Sequence, residues 1–476
     1  MYGSKRKRRY HFLAVFAGPL IFLLSLVLFQ SFFTFKGAAA LGTMLWMVSW
    51  WILRPVNISI TSLLPIAVNA IFNLLPMEGI ISQYFSEIIV LLFGADLVCL
   101  TWSTTGLDKR MAIKILCCIG PSLKQQIRVW LILSTIMSVF LPNVVVCTIM
   151  VPVAVSMLQF LGEENIRSSR IALPILLAIV WGAGIGGFGS PLGGAANLVA
   201  INYLEQLTGK EFMYIEWLSR FLPFLFIIML LNLFFLERIP VPTQQLGETK
   251  QYFSKLYAEL GKIKAGEKIS LILFLAAMLL SFCRPLFADI FPGLKPAYIF
   301  LICGFLTFLF EDENGKALLS WQQAERGVMW GMYFLFAGGL ALGKLVTDTG
   351  AAAKMAELIT ILPLSGGLET IFVFNAFSCL LTEISSNTAA AAIAVPVVQN
   401  IAQALSLNPV PYIMISIVAF NTAYILPVSI RAIPVSYGLD PANLFRYGLL
   451  LSASSVIIIT LLGYIFMNFF PAFGTL

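Results

Sequence analysis

Two stretches of the chain, FLPNVVVCTIMVPVAVSM at 140–157 and LTEISSNTAAAAIAVPVV at 381–398, follow one pattern. Each has a short polar break, then a run of small and apolar residues, and then a proline. Asn143 and Asn387 lie 244 positions apart (387 − 143 = 244). The same offset separates two further pairs of landmarks, Pro152 from Pro396 and Gly106 from Gly350. The shared offset indicates a duplication, and in a membrane protein paired interruptions of this kind point to a substrate site near the bilayer midplane.

Composition places the chain in a membrane. Of its 476 residues 59% are hydrophobic and 11% are charged, and the mean hydropathy is +0.92. Soluble domains carry about 25% charged residues. The net charge of +7 does not indicate a nucleic-acid partner, because the basic residues lie at the N-terminus and in short loops between apolar runs. This is the positive-inside pattern of a multi-pass protein in a lipid bilayer.

The N-terminus and the rarer residues narrow the class further. A basic cluster at 5–9 precedes an apolar run at about 12–33 that is too long for a signal-peptide core. We therefore predict an uncleaved first span in the cell (inner or plasma) membrane, with the N-terminus in the cytoplasm. The seven cysteines lack CxxC spacing and His11 is the only histidine. Neither a disulfide framework, a structural metal, a cofactor nor a histidine-based enzyme is indicated.

Span lengths and loop charges predict an all-α polytopic membrane protein. It has about 11 transmembrane helices plus two re-entrant helical hairpins in an inverted-topology repeat. The hairpins are predicted at 129–160 and 367–402, where each segment is too short for two spans of about 20 residues. Two further spans, 171–203 and 409–438, are broken helices. Counting the crossings places the two hairpin mouths on opposite faces of the membrane.

Five segments follow from this layout. They are N-terminal scaffold-type helices (1–105), a first repeat (106–236), a cytoplasmic linker loop (237–268), second-half scaffold-type helices (269–347) and a second repeat that ends in a terminal helix (348–476). Short interfacial pieces are predicted near 106–128 and 350–363.

The polar breaks predict an anion site. A helix that begins inside the membrane exposes unsatisfied N–H groups and a positive dipole end, which attract an anion. Ser386, Asn387 and Thr388 carry short oxygen and amide groups that cap a helix and also bind ligand oxygens. An ordinary cap on a kinked helix explains the same residues. However, burying polar groups near the bilayer midplane costs free energy, which favours a functional role. In the first copy only Asn143 and backbone groups can contact a solute. Unwound carbonyls opposite are suited to a cation such as Na+.

Three stretches in this order and spacing resemble the divalent anion/sodium symporter family: 381–398, GGFGSPLGGAANLVAI at 186–201 and LPVSIRAIP at 426–434. The resemblance covers about 85–470, and its most specific part is the Ser-Asn-Thr segment at 386–388. It implies a secondary active transporter of di- or tricarboxylates, of the succinate, malate, 2-oxoglutarate and citrate class, that works by an elevator-type mechanism. It also implies a homodimer in which a fixed scaffold holds a mobile transport domain.

Carried over by position, the resemblance implies a set of site residues. Substrate contacts fall at Asn143, Gly194, Ser386, Asn387 and Thr388. A first sodium site falls at Ser138, Asn143 and Gly193, although Pro142 replaces a serine ligand there. A second sodium site falls at Thr382, Ser385, Asn387 and Ser429.

The last broken helix departs from the family pattern. Where the family has a Thr-Pro-Pro-Asn turn, this chain has IRAI at 430–433. Arg431 then falls near the predicted anion site and is a further candidate substrate contact, since a guanidinium forms bidentate bonds with carboxylates. Its fixed charge can replace sodium, so both Na+ symport and Na+-independent anion exchange are kept as hypotheses. The alternative is that Arg431 reaches cytoplasmic water or pairs with a nearby acid.

Three other charges lie in predicted membrane segments. Glu383 is expected to hydrogen-bond its own hairpin arm and stabilise it. Asp96 and Lys344 are functional candidates that can also snorkel or form structural pairs.

Other functions compete with this reading. An inorganic oxyanion permease or an Na+/H+ antiporter can share the architecture, and Asp96 is the one nominee for a proton-coupled acid in the first half. An intramembrane enzyme needs a constellation such as HExxH or a Ser/His dyad, which a single peripheral histidine disfavours. A non-transporting scaffold leaves the paired polar breaks unexplained.

Overall fold

A computed structural model of the protein describes residues 2–117, 120–241, 246, 248–351, 354 and 364–475. Across these residues every regular element is a helix, apart from one isolated antiparallel bridge between Glu311 and Ala317. The all-α class is therefore confirmed. Most of the interfacial piece predicted at 350–363, and the side chains of the basic cluster at 5–9, lie outside the described residues.

The first half holds the helices up to the polar linker. Those before the first hairpin are α1 (Tyr2–Phe29), α2 (Phe35–Leu53), α3 (Ile58–Thr61), α4 (Leu64–Phe72), α5 (Met77–Ile81), α6 (Glu87–Thr105) and α7 (Leu107–Leu116). The hairpin, the broken helix and the next span follow as α8 (Leu123–Phe140), α9 (Asn143–Phe160), α10 (Ala172–Gly186), α11 (Ala195–Thr208) and α12 (Tyr214–Leu236).

The second half begins after a linker that carries α13 (Glu248–Glu259). The helices before the second hairpin are α14 (Ala265–Phe282), α15 (Pro296–Leu306), α16 (Trp321–Gly327) and α17 (Trp330–Asp348). The hairpin, the broken helix and the terminal helix are α18 (Leu368–Ile384), α19 (Asn387–Ala404), α20 (Pro409–Phe420), α21 (Ala432–Ser436) and α22 (Pro441–Phe469).

The described residues include eight helices that are long and apolar enough to cross a membrane, judged by length and composition. Three shorter apolar helical stretches accompany them, at Ile58–Phe72 (α3 and α4 together), Pro296–Leu306 and Pro409–Phe420. This is the polytopic architecture that the composition predicts. The direction of each crossing and the cytoplasmic N-terminus stay predictions.

Several element boundaries differ from those expected. Within the N-terminal segment, the apolar stretch at 58–72 is two helices and not one span, because Pro65 lies in the first turn of a new helix, the place that proline tolerates best. The first hairpin begins at Leu123, six residues before the expected start, because Ser122 forms a capping box there. The linker at 237–268 contains α13, which packs against α7.

The duplicated landmarks occupy equivalent places in the two halves. Asn143 and Asn387 each begin a helix of 18 residues. The two prolines lie inside these helices. Gly106 and Gly350 both have left-handed backbone, with φ of 81° and 77°, a conformation that favours glycine. The offset of 244 positions thus relates structurally matching residues.

Hairpins and broken helices pack in the same way in both halves. Helices α8 and α9 pack against α10, and α18 and α19 pack against α20. The far halves of the broken helices then exchange partners: α11 packs against α19, whereas the short α21 packs against α9. Each broken helix therefore contacts both hairpins. This packing brings the starts of α9 and α19, at Asn143 and Asn387, towards the breaks in the two broken helices.

A close helix crossing supplies a test of this packing. A Cβ on Gly94 of α6 would lie 2.4 Å from the backbone nitrogen of Leu301 in α15. Gly94→Ala requires the two helices to separate, at a cost of about 1–3 kcal/mol. We expect the variant to melt below the wild type in detergent. The matched control is Gly293→Ala, whose Cβ meets nothing within 4 Å. A wild-type melting temperature for Gly94→Ala would contradict the described crossing.

Candidate functional site

The two helix starts share their backbone geometry but differ in their caps. Pro142 and Ser386 precede α9 and α19 with extended ψ angles of 133° and 152°. The Ser386 hydroxyl accepts a hydrogen bond from the Ala389 N–H at 3.2 Å. Pro142 makes no side-chain cap bond. The second start is therefore capped by a hydroxyl, whereas the first offers backbone N–H groups without a side-chain acceptor.

The first break is held open by one amide side chain. Helix α10 tightens into a 3-10 turn at Gly187–Gly189, and the chain then turns until α11 begins. The Asn197 amide donates to the carbonyl oxygens of Gly187 at 2.7 Å and Ser190 at 2.8 Å. The Ser190 hydroxyl donates to the carbonyl oxygen of Val139 in the first hairpin. The break is thus fixed to the hairpin beside it.

A second amide, Asn421, connects this break to the other hairpin. It ends α20 and is 1% exposed. Its nitrogen donates to Asn197 Oδ1 at 3.2 Å, and its Oδ1 accepts from Asn387 Nδ2 at 3.5 Å. A Cβ on Gly187 or Gly194 would lie 2.6 Å or 3.0 Å from that same oxygen. Asn421 therefore joins the second helix start to the first break.

The first helix start reaches the same place. A Cβ on Gly187 would lie 3.6 Å from Asn143 Nδ2. Two predicted substrate contacts, Asn143 and Gly194, thus lie beside Gly187, and a third, Asn387, is connected to it through Asn421. A fourth, Thr388, is buried, and its hydroxyl has no hydrogen-bond partner within the described part of the chain.

Carbonyl oxygens converge at the first predicted sodium site. A Cβ on Gly193 would lie 2.4 Å from the carbonyl oxygen of Ser138, 2.8 Å from that of Gly187 and 3.2 Å from that of Gly186. Only a glycine leaves this point open. The Ser138 hydroxyl donates instead to the Ala183 carbonyl at 2.7 Å, so Ser138 offers its carbonyl to the site. Unwound carbonyls of this kind coordinate Na+ in transporters.

The second predicted sodium site is only partly assembled. Thr382 Oγ1 lies 2.8 Å from the Phe420 carbonyl oxygen and 3.0 Å from Asn387 Oδ1. The Ser385 hydroxyl donates back into its own helix at 2.6 Å. Ser429 is exposed, with a positive φ of 57°. In the described structure it makes no hydrogen bond to Thr382, Ser385 or Asn387. The structure joins Thr382 to Asn387 and leaves Ser385 and Ser429 apart from them.

Glu383 holds the unwound segment after α20, not its own hairpin arm as the sequence indicates. Its carboxylate accepts hydrogen bonds from the N–H groups of Tyr424, Ile425 and Leu426 at 2.7–3.3 Å. The Ser452 hydroxyl donates to it at 3.4 Å. Charge-assisted bonds of this kind are the strong ones in proteins. They fix the path of a segment that has no helical hydrogen bonds of its own.

Arg431 completes this arrangement, which we call the Glu383–Arg431 clamp. Its side chain is 1% exposed, and Nη2 lies 3.7 Å from Glu383 Oε2. Nη2 also donates to the carbonyl oxygens of Thr382 and Glu383, and Nε donates to that of Leu426. Arg431 is thus paired with a nearby acid, which was the alternative to a substrate contact in the sequence analysis. In this structure its guanidinium is not free to bind an anion. The pair carries no net charge.

Asp96 and Lys344, the two remaining charged candidates, lie away from these contacts. Lys344 pairs with Asp348 one turn further along α17, at 2.7 Å. Asp96 accepts a hydrogen bond from the Tyr333 hydroxyl at 2.7 Å. Neither is hydrogen-bonded to a helix start in the described structure.

Sequence reasoning missed Asn197 and Asn421. Each is a single amide in an apolar run, GGAANLVAI at 193–201 and VAFNTAY at 418–424. The one signal in the sequence that could have identified them is that each is a polar residue inside a predicted membrane segment.

The assembled site offers neutral donors for an anion. They are the amide of Asn143, the hydroxyl of Thr388 and the first N–H groups of α9 and α19. The described residues contain no cluster of three His, Cys, Asp or Glu side chains that could hold a metal. Arg431 adds no free positive charge to these donors, because it is paired with Glu383.

Most of the chain is similar to known transporters. The citrate transporter (CitMHS) family model matches residues 44–419. The sodium-dependent dicarboxylate transporter SdcS of Staphylococcus saprophyticus is 27% identical over 468 residues, covering 94% of this chain and 89% of the relative. Its counterpart in Staphylococcus aureus is 26% identical over 485 residues, covering 98% and 93%.

A solved structure has a similar fold. The crystal structure of the Alcanivorax borkumensis YdaH transporter, described as having an unusual topology, matches with a TM-score of 0.54. The match covers 82% of this chain and 86% of that one at 11% identity. At that identity the likeness concerns the fold alone.

Glu383→Gln tests the clamp. One carboxylate oxygen becomes an amide nitrogen that meets backbone donors, and Arg431 loses its partner. Removing one member of a buried pair costs about 3–5 kcal/mol. We expect Glu383→Gln to melt well below the wild type in detergent. The control Glu164→Gln, which changes an exposed acid, should melt at the wild-type temperature. If Glu383→Gln has the wild-type melting curve, the clamp does not hold the segment.

Proposed function

We propose that this chain, which belongs to the citrate transporter family, is a secondary transporter that moves a dicarboxylate together with Na+. Its family makes it a transporter of di- or tricarboxylates and not an enzyme. The observation that carries the finer proposal is the chain of amides Asn387, Asn421 and Asn197. These amides build one polar site from the second helix start and the first break.

The anion half of the proposal rests on the two helix starts. A dicarboxylate has two charged ends. Asn143 of the first helix start lies beside Gly187, and Asn387 of the second is hydrogen-bonded to Asn421, whose Oδ1 also lies beside Gly187. We assign one carboxylate to each start, because N-terminal N–H groups and the helix dipole favour negative charge. The second start, with Asn387 and Thr388, offers more donors than the first, where Asn143 stands alone. It is therefore assigned the more tightly held carboxylate.

The cation half rests on charge compensation. Two carboxylates at a site without a free guanidinium leave negative charge uncompensated in the membrane. The carbonyl oxygens around Gly193 offer neutral ligands for Na+, which travels as cargo. The named relatives are sodium-dependent. Because Arg431 is paired with Glu383, we favour Na+ symport over sodium-independent exchange.

We propose an elevator movement in which the two hairpins and the two broken helices travel as one body. The exchanged packing of α11 with α19 and of α21 with α9 supports a single body. Its sliding surface is assigned to α17, where a Cβ on Gly339 would lie 2.4 Å from the Ala392 Cβ. Small residues allow two helices to approach and slide. The homodimer expected from the sequence belongs to the same proposal.

Transport in proteoliposomes tests the function. We expect uptake of labelled succinate under an inward Na+ gradient and little uptake when choline replaces Na+. Asn387→Ala removes one bond to a charged ligand, worth about 1.5–3 kcal/mol, so uptake should fall about 10- to 100-fold. Asn468→Ala, at the exposed end of α22, is the matched control.

Two results would contradict the proposal. If succinate uptake in choline equals that in Na+, transport is not coupled to sodium. Inhibition of uptake by sulfate or phosphate, but not by malate or citrate, would favour an oxyanion permease instead.

Gly193→Ala tests the sodium site in the absence of substrate. The new methyl group would occupy the point on which the carbonyl oxygens of Ser138 and Gly187 converge. In the wild type Na+ should raise the melting temperature relative to choline, because a ligand that binds the folded state stabilises it. We expect this rise to vanish in Gly193→Ala and to persist in Gly293→Ala. A full sodium-dependent rise in Gly193→Ala would exclude this site.

A further inference from the structure

A cavity lies beside the first helix start, outside the amide network. Its volume open to a water molecule is about 30 Å³. Helices α6 and α17 form one wall with Asp96, Cys99 and Tyr333, and the first hairpin and first break form the other with Pro142 and Leu192. The remaining lining residues are apolar. The cavity therefore lies between the part that we propose to stay fixed and the part that we propose to move.

Among the residues that the structure describes, Asp96 is the only carboxylate that lines this cavity. It lies in the middle of α6 and is 9% exposed. Its Oδ2 accepts from the Tyr333 hydroxyl at 2.7 Å and from the Met329 N–H at 3.4 Å. Its Oδ1 has no hydrogen-bond partner among the described residues. One oxygen of a nine-tenths buried carboxyl group is thus unpartnered at the cavity wall.

No cationic side chain of the described part of the chain lines the cavity to offset Asp96. The other titratable groups that line the cavity are Cys99 and Tyr333, and α8, α11, α14 and α15 line it with apolar residues. Charged groups on the other helices packed against α6 are engaged elsewhere or exposed: Arg110 pairs with Glu267, Asp108 accepts from Ser103, and Glu325 and Arg326 are exposed. Tyr84, in the turn before α6, donates to the Ser62 carbonyl.

This cavity offers a metal cation few side-chain ligands. Hard cations take about six oxygen ligands in proteins, and among the lining residues only Asp96 and Tyr333 carry side-chain oxygens. An ionised carboxylate without a partner is expensive at this depth. A proton removes that expense and needs no further ligand.

We propose that Asp96 is a proton-binding site at the sliding surface, with a proton on Oδ1 in the conformation described here. The proton comes from water and returns to water when Pro142 and Leu192 move away and the cavity hydrates. Proton binding thus stabilises this conformation, and ionisation favours the other. The inference rests on the proposed elevator movement but not on the identity of the carboxylate.

The pH profile of uptake tests the site. Asp96→Asn imitates the protonated group and removes the ionised one. Between about pH 5.5 and about pH 8.5, the ratio of wild-type to Asp96→Asn uptake should rise by about threefold or more, because only the wild type ionises. Comparing the two proteins at each pH cancels the titration of succinate itself. Asp289→Asn, which changes an exposed acid, should keep a constant ratio to the wild type. A constant ratio for Asp96→Asn as well would overturn the proposal.

Two further measurements separate this site from a merely structural role and from the proposed function. Tyr333→Phe removes a donor to the ionised carboxylate, so the midpoint of the pH profile should move to higher pH, and an unmoved midpoint counts against the proposal. The melting temperature of the wild type relative to Asp96→Asn needs no transport and should fall as the pH rises. A pH-independent difference would overturn the proton site, whereas absent succinate uptake at every pH would overturn only the proposed function.

Discussion

Where the chain unwinds after Phe420, the Glu383 carboxylate takes over from the missing helical hydrogen bonds. It binds three successive backbone N–H groups, and Arg431 closes the arrangement from the other side through carbonyl oxygens. An irregular segment inside a membrane persists only when its polar groups find partners within the protein. This clamp meets that constraint for the second broken helix, and Asn197 meets it for the first. The positions of the unwound carbonyls and of Asn421 both depend on these bonds.

The clamp also decides the electrostatics of the site. By holding Arg431 against an acid, it removes the one permanent positive charge that the sequence places near the substrate. What remains is a set of neutral donors at two helix starts, together with carbonyl oxygens around Gly193. Such a site favours an anion and a cation together over either alone, which is the physical basis of the proposed coupling. The two starts are unequal, because Ser386 caps one and Pro142 precedes the other.

Much of the architecture could be predicted from the sequence, and less of the site. Asn143 and Asn387 begin helices as the polar breaks predict, since a turn residue before a small, apolar run is a local signal. The sequence leaves open that Arg431 pairs with an acid, but it could not identify Glu383 as that acid, because the two residues lie 48 positions apart and meet through tertiary packing. Asn421 was missed because one amide in an apolar run carries no spacing that marks a partner. The linker helix α13 was missed because most of its residues are charged or polar, so its one narrow apolar face gives little periodic signal in the sequence.

The central claim is that both helix starts and the first break form one site for a dicarboxylate and Na+. A cryo-EM map of the protein with succinate, recorded once in Na+ and once in choline, tests it most directly. We expect elongated density between Asn387 and Asn143 beside Gly187, together with a compact peak at the Gly193 carbonyl oxygens, and both features only in Na+. Succinate density bound directly by Arg431 after release from Glu383, or unchanged in choline, would contradict it.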